Sequence, residues 1–302
     1  MQRRATVRLS YYPGCSLHST AREYGLSTKA VCEALGIDLV EIPDWSCCGA
    51  SSAHSINHTL SIALPARNIA AAQEEGLDVV VPCAACFSNM RKADTALRED
   101  DAVRQEIEEM LSFRYSGRLR IMHMLEVICG RIGLEAVRER VVNELTGLKV
   151  APYYGCLLVR PPDICGFDDA ENPTTLDNLL RAIGAEPVKW SYKTECCGGS
   201  LALIQTEIVE KLVGEITEMA VEAGASCIAT ACPLCSTNLE TRQKIGLPVF
   251  FFTELMGLAL GLDGCEKWFK MHLVPTGPVL QALGAANSDS APSDTRKNDY
   301  DR

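Results

Sequence analysis

Short apolar runs alternate with longer amphipathic stretches along the first half of the chain. The runs at 37–42 and 77–81 are rich in Ile, Leu and Val, which predicts two β-strands. The stretches at 25–36 and 58–76 space their apolar residues at helical intervals and each ends at a glycine, which predicts two helices. Strands that alternate with helices predict a parallel sheet, and functional groups on such a sheet follow the carboxyl ends of its strands.

The second half of the chain repeats this order. Strands are predicted at 149–153, 187–190 and 227–231, and helices at 174–184 and 201–224. The pattern therefore indicates an α/β protein made of two pseudo-symmetric Rossmann-like α/β halves, each with a parallel sheet.

Three segments follow from these elements. Residues 1–148 are predicted to form an N-terminal domain that includes a charged helical linker at 99–145, and residues 149–284 a C-terminal domain. Residues 285–302 are polar and rich in Ser and Asp, so we expect this tail to be disordered.

Cysteine motifs occur twice in the same order: a single cysteine, then Cys-Cys-Gly, then Cys-x-x-Cys. The two sets are Cys15, Cys47, Cys48, Cys83 and Cys86, and Cys156, Cys196, Cys197, Cys232 and Cys235. In both halves 34 residues separate Cys-Cys from Cys-x-x-Cys. The gap after the first cysteine is 31 residues in the first half and 39 in the second, which predicts a loop insertion near 161–173. Each half therefore carries a CCG cysteine motif and one candidate site.

Composition and charge limit the classes of function. The 302 residues carry a net charge of -10 and no cluster of Lys and Arg, which disfavours nucleic acid and anionic membranes as partners. The first residues lack the apolar core of a signal peptide and no apolar run is long enough to span a bilayer, so we expect a cytoplasmic protein without direct membrane insertion. Because the cytoplasm keeps thiols reduced, fifteen cysteines indicate metal or cluster ligation rather than disulfides.

Five cysteines per half narrow the choice of ligand. Tetrahedral zinc takes four ligands, and the adjacent Cys47 and Cys48 reach one small ion awkwardly, whereas a larger cluster accommodates both. Gly49 and Gly198 follow the two cysteine pairs, and we expect the backbone to approach the cluster closely there. A non-catalytic docking module that binds structural zinc stays open as an alternative. The other five cysteines are interpreted as buried, with Cys165 in the insertion the one whose role is open: Cys32, Cys129, Cys165, Cys227 and Cys265.

These motifs resemble the cysteine-rich CCG domain, present twice, as in the B subunit of heterodisulfide reductase. The resemblance runs from Tyr11 to about Val274. It implies that each set of five cysteines binds one noncubane [4Fe-4S] cluster. It also implies that a disulfide lodges between the two clusters and is reduced there to two thiols, or formed from them.

The resemblance implies partner proteins as well. In that family, electrons come from a ferredoxin-type C subunit with cubane [4Fe-4S] clusters, which in soluble complexes receives them from a flavin-containing A subunit. This chain has no dinucleotide-binding glycine motif and no cubane motif, so we expect it to depend on such partners. The disulfide substrate is a small molecule or is bound to a protein. The nearest alternative is a CCG-domain electron-transfer subunit of a lactate, glycerol-3-phosphate, succinate or thiol-fumarate oxidoreductase.

Overall fold

Two four-stranded parallel sheets lie at the centre of the computed structural model, which describes residues 7–50 and 53–289. The strands are β1 Val7–Tyr11, β2 Ile37–Glu41, β3 Val79–Val81, β4 Ile121–His123, β5 Lys149–Tyr153, β6 Glu186–Pro187, β7 Cys227–Thr230 and β8 Val249–Phe251. The first sheet has the order β2-β1-β3-β4 and the second the order β6-β5-β7-β8. The identical order confirms the predicted α/β fold with two repeated halves.

Helices connect the strands and cover the sheets. Those of the first half are α1 Gly14–Leu17, α2 Arg22–Leu35, α3 Ala53–Ile56, α4 His58–Glu75, α5 Ala84–Glu99, α6 Asp101–Leu111, α7 Met124–Glu126, a π-helix Val127–Gly133 and α8 Leu134–Arg138. Those of the second half are α9 Pro162–Cys165, α10 Thr175–Ala182, a 3-10 helix Gly199–Leu201, α11 Thr206–Glu222, α12 Pro233–Arg242, α13 Phe252–Ala259, α14 Cys265–Phe269 and α15 Gly277–Asp289. Among the described residues, no helix has both the length and the apolar character needed to cross a bilayer.

The ends of α4 show why this segment is helical. The Asn57 side chain caps the helix by accepting a hydrogen bond from the Leu60 N–H at 2.9 Å. Gly76 ends the helix with a φ of 66°, a conformation that disfavours residues with a Cβ. Between them, Ile62, Ala66 and Ile69 are buried against the core. The apolar residues that recur at helical intervals in the sequence therefore form the face of α4 that packs against the core.

The structure corrects part of the predicted linker at 99–145. β4 lies inside this segment and pairs in parallel with β3, with Val79 opposite Ile121. β4 has three residues and all are buried, so it shows none of the alternation that identifies a half-buried strand. At the other end of the chain, α15 continues through Asp289 into the segment predicted to be disordered. Residues 290–302 of that tail and residues 1–6 of the N-terminal segment lie outside the described residues.

Helices of the two halves pack against each other. α13, which follows the last strand of the second sheet, packs on α2 of the first half, and α8 packs on α10 of the second half. Tyr24 stacks on Phe251 with ring centroids 4.2 Å apart, and the buried hydroxyls of Ser27 and Thr253 hydrogen-bond at 2.7 Å. These contacts join the two halves through a buried interface.

Candidate functional site

A glycine with positive φ precedes the first cysteine of each set. Gly14, before Cys15, has a φ of 70°, and Gly155, before Cys156, has a φ of 67°. A Cβ on Gly14 would lie 3.2 Å from the sulfur of the last cysteine of the first set, Cys86. A Cβ on Gly155 would lie 3.0 Å from the sulfur of Cys235, the last cysteine of the second set. Only glycine leaves room for this approach.

The second cysteine of each Cys-Cys pair lies next to the last cysteine of its set. The sulfurs of Cys48 and Cys86 are 3.2 Å apart, and those of Cys197 and Cys235 are 3.4 Å apart. All four side chains are buried. Each half thus has a tight inner pair of sulfurs at the end of a central strand.

The glycine after each Cys-Cys pair contacts both its cysteine set and the helices that follow. A Cβ on Gly49 would lie 2.7 Å from the Ala53 Cβ and 2.8 Å from Leu64, so the crowding is with the following helices and not with the sulfurs. The Gly49 N–H does contact the site, because it donates to the Cys47 sulfur at 3.4 Å. The Gly198 N–H donates in the same way to the Cys196 sulfur at 3.3 Å. These N–H donors stabilise negative charge on the two sulfurs.

The two cysteine sets meet at Cys83 and Cys232. A hydrogen bond to Cys232 raises the pKa of the Cys83 thiol well above its usual value. Hydrogen bonds from Cys235 and Cys83 lower the pKa of Cys232 well below the usual value. The first cysteines of the two Cys-x-x-Cys motifs are therefore in contact across the interface.

The first cysteine of each set and the first cysteine of each Cys-Cys pair, here called the outer cysteines, interact differently in the two halves. A hydrogen bond to Cys196 raises the pKa of Cys156, and the same bond lowers the pKa of Cys196 to about 6. Cys15 is exposed, and its charge contributes to the raised pKa of Cys47. Cys47 and Cys196 are also exposed, so each site has a buried inner end and an open outer end. The structure brings the predicted residues together, with Cys15 the least constrained of the ten.

A cavity of about 520 Å³ opens onto the second set. All five cysteines of this set line it, together with Tyr154. The first half closes the other side with His58, Asn89 and Lys92. Cavities of this size are typical of small-molecule sites.

Two tyrosines that sequence analysis did not assign position the cysteine pairs. The Tyr12 hydroxyl donates to the Ser46 carbonyl at 2.7 Å, and the Tyr153 hydroxyl donates to the Glu195 carbonyl at the same distance. Ser46 and Glu195 each precede a Cys-Cys pair. Both tyrosines lie three residues before the first cysteine of their set, so the repeat itself marks them.

Two asparagines were also missed. Asn89 and Asn238 each lie three residues after a Cys-x-x-Cys motif, on α5 and α12. The Asn89 amide donates to the Cys48 carbonyl at 3.2 Å, and the Asn238 amide donates to the Cys197 carbonyl at 3.0 Å. Extending the repeat three residues beyond each motif would have found them.

A buried ion pair supports the cavity wall in the second half. Lys193 donates to Asp177 at 2.7 Å, and the side chains of both are buried. The Tyr154 hydroxyl donates to the other Asp177 oxygen at 2.7 Å and accepts from the Leu176 N–H at 2.8 Å. The hydroxyl is fully bonded, so Tyr154 is a structural wall of the cavity.

The remaining cysteines stay apart from these sets. Cys32, Cys165, Cys227 and Cys265 are buried, and Cys129 is half-buried. Burial raises the pKa of Cys165, whose thiol donates weakly to the Leu157 carbonyl at 3.6 Å. All fifteen cysteines are free thiols. Among the described residues, no group of three or more His, Cys, Asp or Glu is arranged to hold a single metal ion.

The Cysteine-rich domain family, CCG, matches residues 9–91 and 150–240, which include all ten cysteines of the two sets. The chain belongs to the CCG cysteine-rich domain family. Its two CCG domains correspond to the two sheets and their motifs, which confirms the resemblance drawn from the sequence.

Relatives of this CCG protein are similar over most of its length. The 8-methylmenaquinol:fumarate reductase membrane anchor subunit of Wolinella succinogenes is 33% identical over 277 residues, 88% of this chain and 96% of the relative. The B subunit of the ferredoxin:CoB-CoM heterodisulfide reductase of Methanosarcina mazei is 30% identical over 283 residues, 88% of this chain and 94% of the relative. The CCG protein is thus similar to subunits of multi-subunit oxidoreductases.

One solved structure has a similar fold. It is the crystal structure of a hypothetical protein from Helicobacter pylori, with a TM-score of 0.66 and 12% sequence identity. The match covers 90% of this chain and 53% of that chain, so the CCG protein spans about half the length of that structure. At this identity the likeness supports the fold alone.

Proposed function

We propose that this chain is the catalytic subunit of a heterodisulfide reductase-like complex, in which a disulfide is reduced to two thiols or formed from them. The contact between Cys83 and Cys232 supports this most directly. Because the two sets meet there, a substrate bond in the cavity would face the second set directly and lie close to the first set. The similarity to the B subunit of a heterodisulfide reductase over 88% of the chain agrees with this arrangement.

The proposed cofactors are two noncubane [4Fe-4S] clusters, one held by each set of five cysteines. The residues fit such a group, because thiolate is the preferred ligand of iron–sulfur clusters and five sulfurs exceed what a single zinc ion takes. Gly14 and Gly155 leave space beside the inner sulfurs that a side chain would fill. When bound, the clusters would supply single electrons, whereas the overall reaction RSSR′ + 2e⁻ + 2H⁺ → RSH + R′SH consumes two.

The residues around the cavity determine what the site accepts. The walls contributed by Ile62, Ala84 and Leu157 are apolar. Lys92, which lines the same cavity, is exposed, and its ammonium group is available to the substrate. The space accommodates a small disulfide or the reactive end of a protein-bound one.

Partner proteins would deliver the electrons. We propose a ferredoxin-type C subunit with cubane [4Fe-4S] clusters as the direct partner, supplied in turn by a flavin-containing A subunit. Both relatives are named as subunits of larger enzymes, which agrees with such an assembly. We place this reaction in the cytoplasm, where thiol products stay reduced.

Disulfide reduction driven by a reduced viologen under anaerobic conditions tests the proposal. The wild-type chain is expected to consume disulfide, and Cys48→Ser or Cys197→Ser is expected to abolish turnover while the other site stays detectable by electron paramagnetic resonance. Cys129→Ser, outside both sets, serves as the control and should retain activity. Full activity in either site variant would refute the two-site reaction.

The 33% identity to the Wolinella succinogenes subunit supports a second candidate function, electron transfer within a fumarate-linked or related oxidoreductase. In that case both sites would be reduced and reoxidised by partner proteins, and no disulfide would be consumed. The cavity at the second set favours the disulfide reaction, since a pure electron relay needs no substrate space. The same viologen assay separates the two functions.

A further inference from the structure

Arg242, at the end of α12, donates hydrogen bonds to three neutral groups. Its guanidinium donates to the Asn238 side-chain oxygen at 3.1 Å, to the Thr241 hydroxyl at 2.8 Å and to the Ala202 carbonyl at 2.9 Å. The side chain is half-buried, and its buried Nε has no hydrogen-bond partner among the described residues. None of these acceptors is charged, and Arg242 forms no ion pair among the described residues with the glutamates that line the same surface pocket, Glu207, Glu210, Glu215 and Glu218. The guanidinium is therefore the charged group in direct contact with Asn238.

Asn238 links Arg242 to the second cysteine set. Because the guanidinium holds the amide oxygen, the amide NH₂ points the other way, to the Cys197 carbonyl at 3.0 Å and the Cys197 sulfur at 3.8 Å. Asn238 is buried, which strengthens the effect of a nearby charge. In the second set, the Asn238 amide therefore donates to the Cys197 sulfur while its oxygen is held by the Arg242 guanidinium.

The first set lacks this arrangement. Asn89 is the equivalent of Asn238, and its described hydrogen bond is to the Cys48 carbonyl only. The position equivalent to Arg242 is Ala93, which is buried and uncharged. Two sites with the same plan of five cysteines therefore differ in whether a cation contacts the asparagine beside an inner sulfur.

We propose that Arg242 is a positioning residue that acts through Asn238 to make the second site the more oxidising of the two. The inference rests on the proposed function, because it concerns a redox group held by the cysteines. Hydrogen bonds to cluster sulfurs and nearby positive charge both stabilise the reduced, more negative state, which raises the reduction potential. The site with the higher potential is then the one that faces the cavity.

Potentiometric titration followed by electron paramagnetic resonance tests this on the complete chain, with Cys48→Ser and Cys197→Ser used to assign the two signals. Arg242→Gln should lower the midpoint potential of the second site by about 59 mV, a tenfold change in a one-electron equilibrium. The first-site potential should stay unchanged. Lys244→Gln removes a nearby exposed charge without these contacts and is the control, expected to shift neither signal.

A double-mutant cycle tests whether Arg242 acts through Asn238. Asn238→Ala should lower the second-site potential, and Arg242→Gln should add little in that background, whereas Asn89→Ala should leave the second site unchanged. Should Arg242→Gln fail to fold, Arg242→Lys, which keeps the charge but not the fork of donors, should give a smaller shift in the same direction. Equal shifts in Arg242→Gln and Lys244→Gln, or no shift in the second site, would overturn the inference alone. A wild-type chain without iron and sulfide would overturn the proposed function and this inference together.

Discussion

Cys83 and Cys232 lie next to each other across the boundary between the two halves, close enough for each to shift the pKa of the other. They are equivalent residues of the repeat, so this contact is self-complementary in the way that a two-fold interface is. Each follows an inner strand of its sheet, where α/β folds place their ligands. The duplication has therefore built one continuous centre from two copies of a motif.

Close approach at the first glycine of each site predicts site-specific loss of cofactor. Gly14→Ala places a Cβ against the Cys86 sulfur, and Gly155→Ala does the same to Cys235. Each variant should lose about half of the bound iron, because each disturbs one of two sites. Iron and sulfide analysis of the purified variants measures this.

Gly36→Ala separates crowding from backbone strain. Gly36 has a φ of 75°, and no heavy atom lies within 4 Å of the place that a Cβ would take, so the variant incurs strain alone. It should lose about 1 kcal/mol of stability and keep all of its iron. Equal iron loss in Gly36→Ala and Gly14→Ala would argue against a close approach to the sulfurs.

The hydroxyl pair Ser27 and Thr253 predicts coupling between the halves. Ser27→Ala leaves the buried Thr253 hydroxyl without this partner, which should lower the free energy of unfolding by about 1–3 kcal/mol. Ser27→Ala combined with Thr253→Val should cost less than the sum of the single changes. Thr28→Val is the control, because the Thr28 hydroxyl is buried without a hydrogen-bond partner among the described residues, and it should not destabilise the chain. Additive losses in the double variant would contradict an interlocked interface.

His272 predicts a stability that falls at high pH. Burial lowers its pKa, but hydrogen bonds to Glu240 and Glu254 raise it further, from 6.5 to about 10. The folded-state pKa is above the unfolded one, so this contribution is complete below pH 6.5 and is lost as the pH rises through 10. Burial also raises the pKa of the neighbouring Glu23 from 4.5 to about 7. Ionising this buried carboxyl therefore also lowers the stability as the pH rises.

His272→Gln should therefore destabilise the chain by about 3 kcal/mol near neutral pH, because the variant leaves two buried carboxylates unpaired. Urea unfolding at several pH values measures this, and the difference from wild type should shrink towards pH 10. A difference that is independent of pH would show that the imidazolium charge is not what holds this cluster.

Sequence alone predicted the parts of this protein that local pattern encodes. The repeat of Cys-Cys-Gly and Cys-x-x-Cys predicted both candidate sites, and helix α4 matches its prediction because its Asn57 cap, apolar face and terminal Gly76 are all local signals. β4 and β8 were missed because three buried residues fit a strand and a helix equally well. The contact of α13 with α2 joins segments more than 200 residues apart, such as Ser27 and Thr253, and no local pattern reports that distance. Arg242 was missed because it has no counterpart in the repeat.

The most direct test of the account is the iron, acid-labile sulfide and zinc content of the chain purified without oxygen, combined with its electron paramagnetic resonance spectrum. Two four-iron clusters predict about eight irons and matching sulfide per chain, with two signals that respond differently to thiol and disulfide. About four irons would contradict two equivalent sites, and zinc without sulfide would contradict the redox function as a whole.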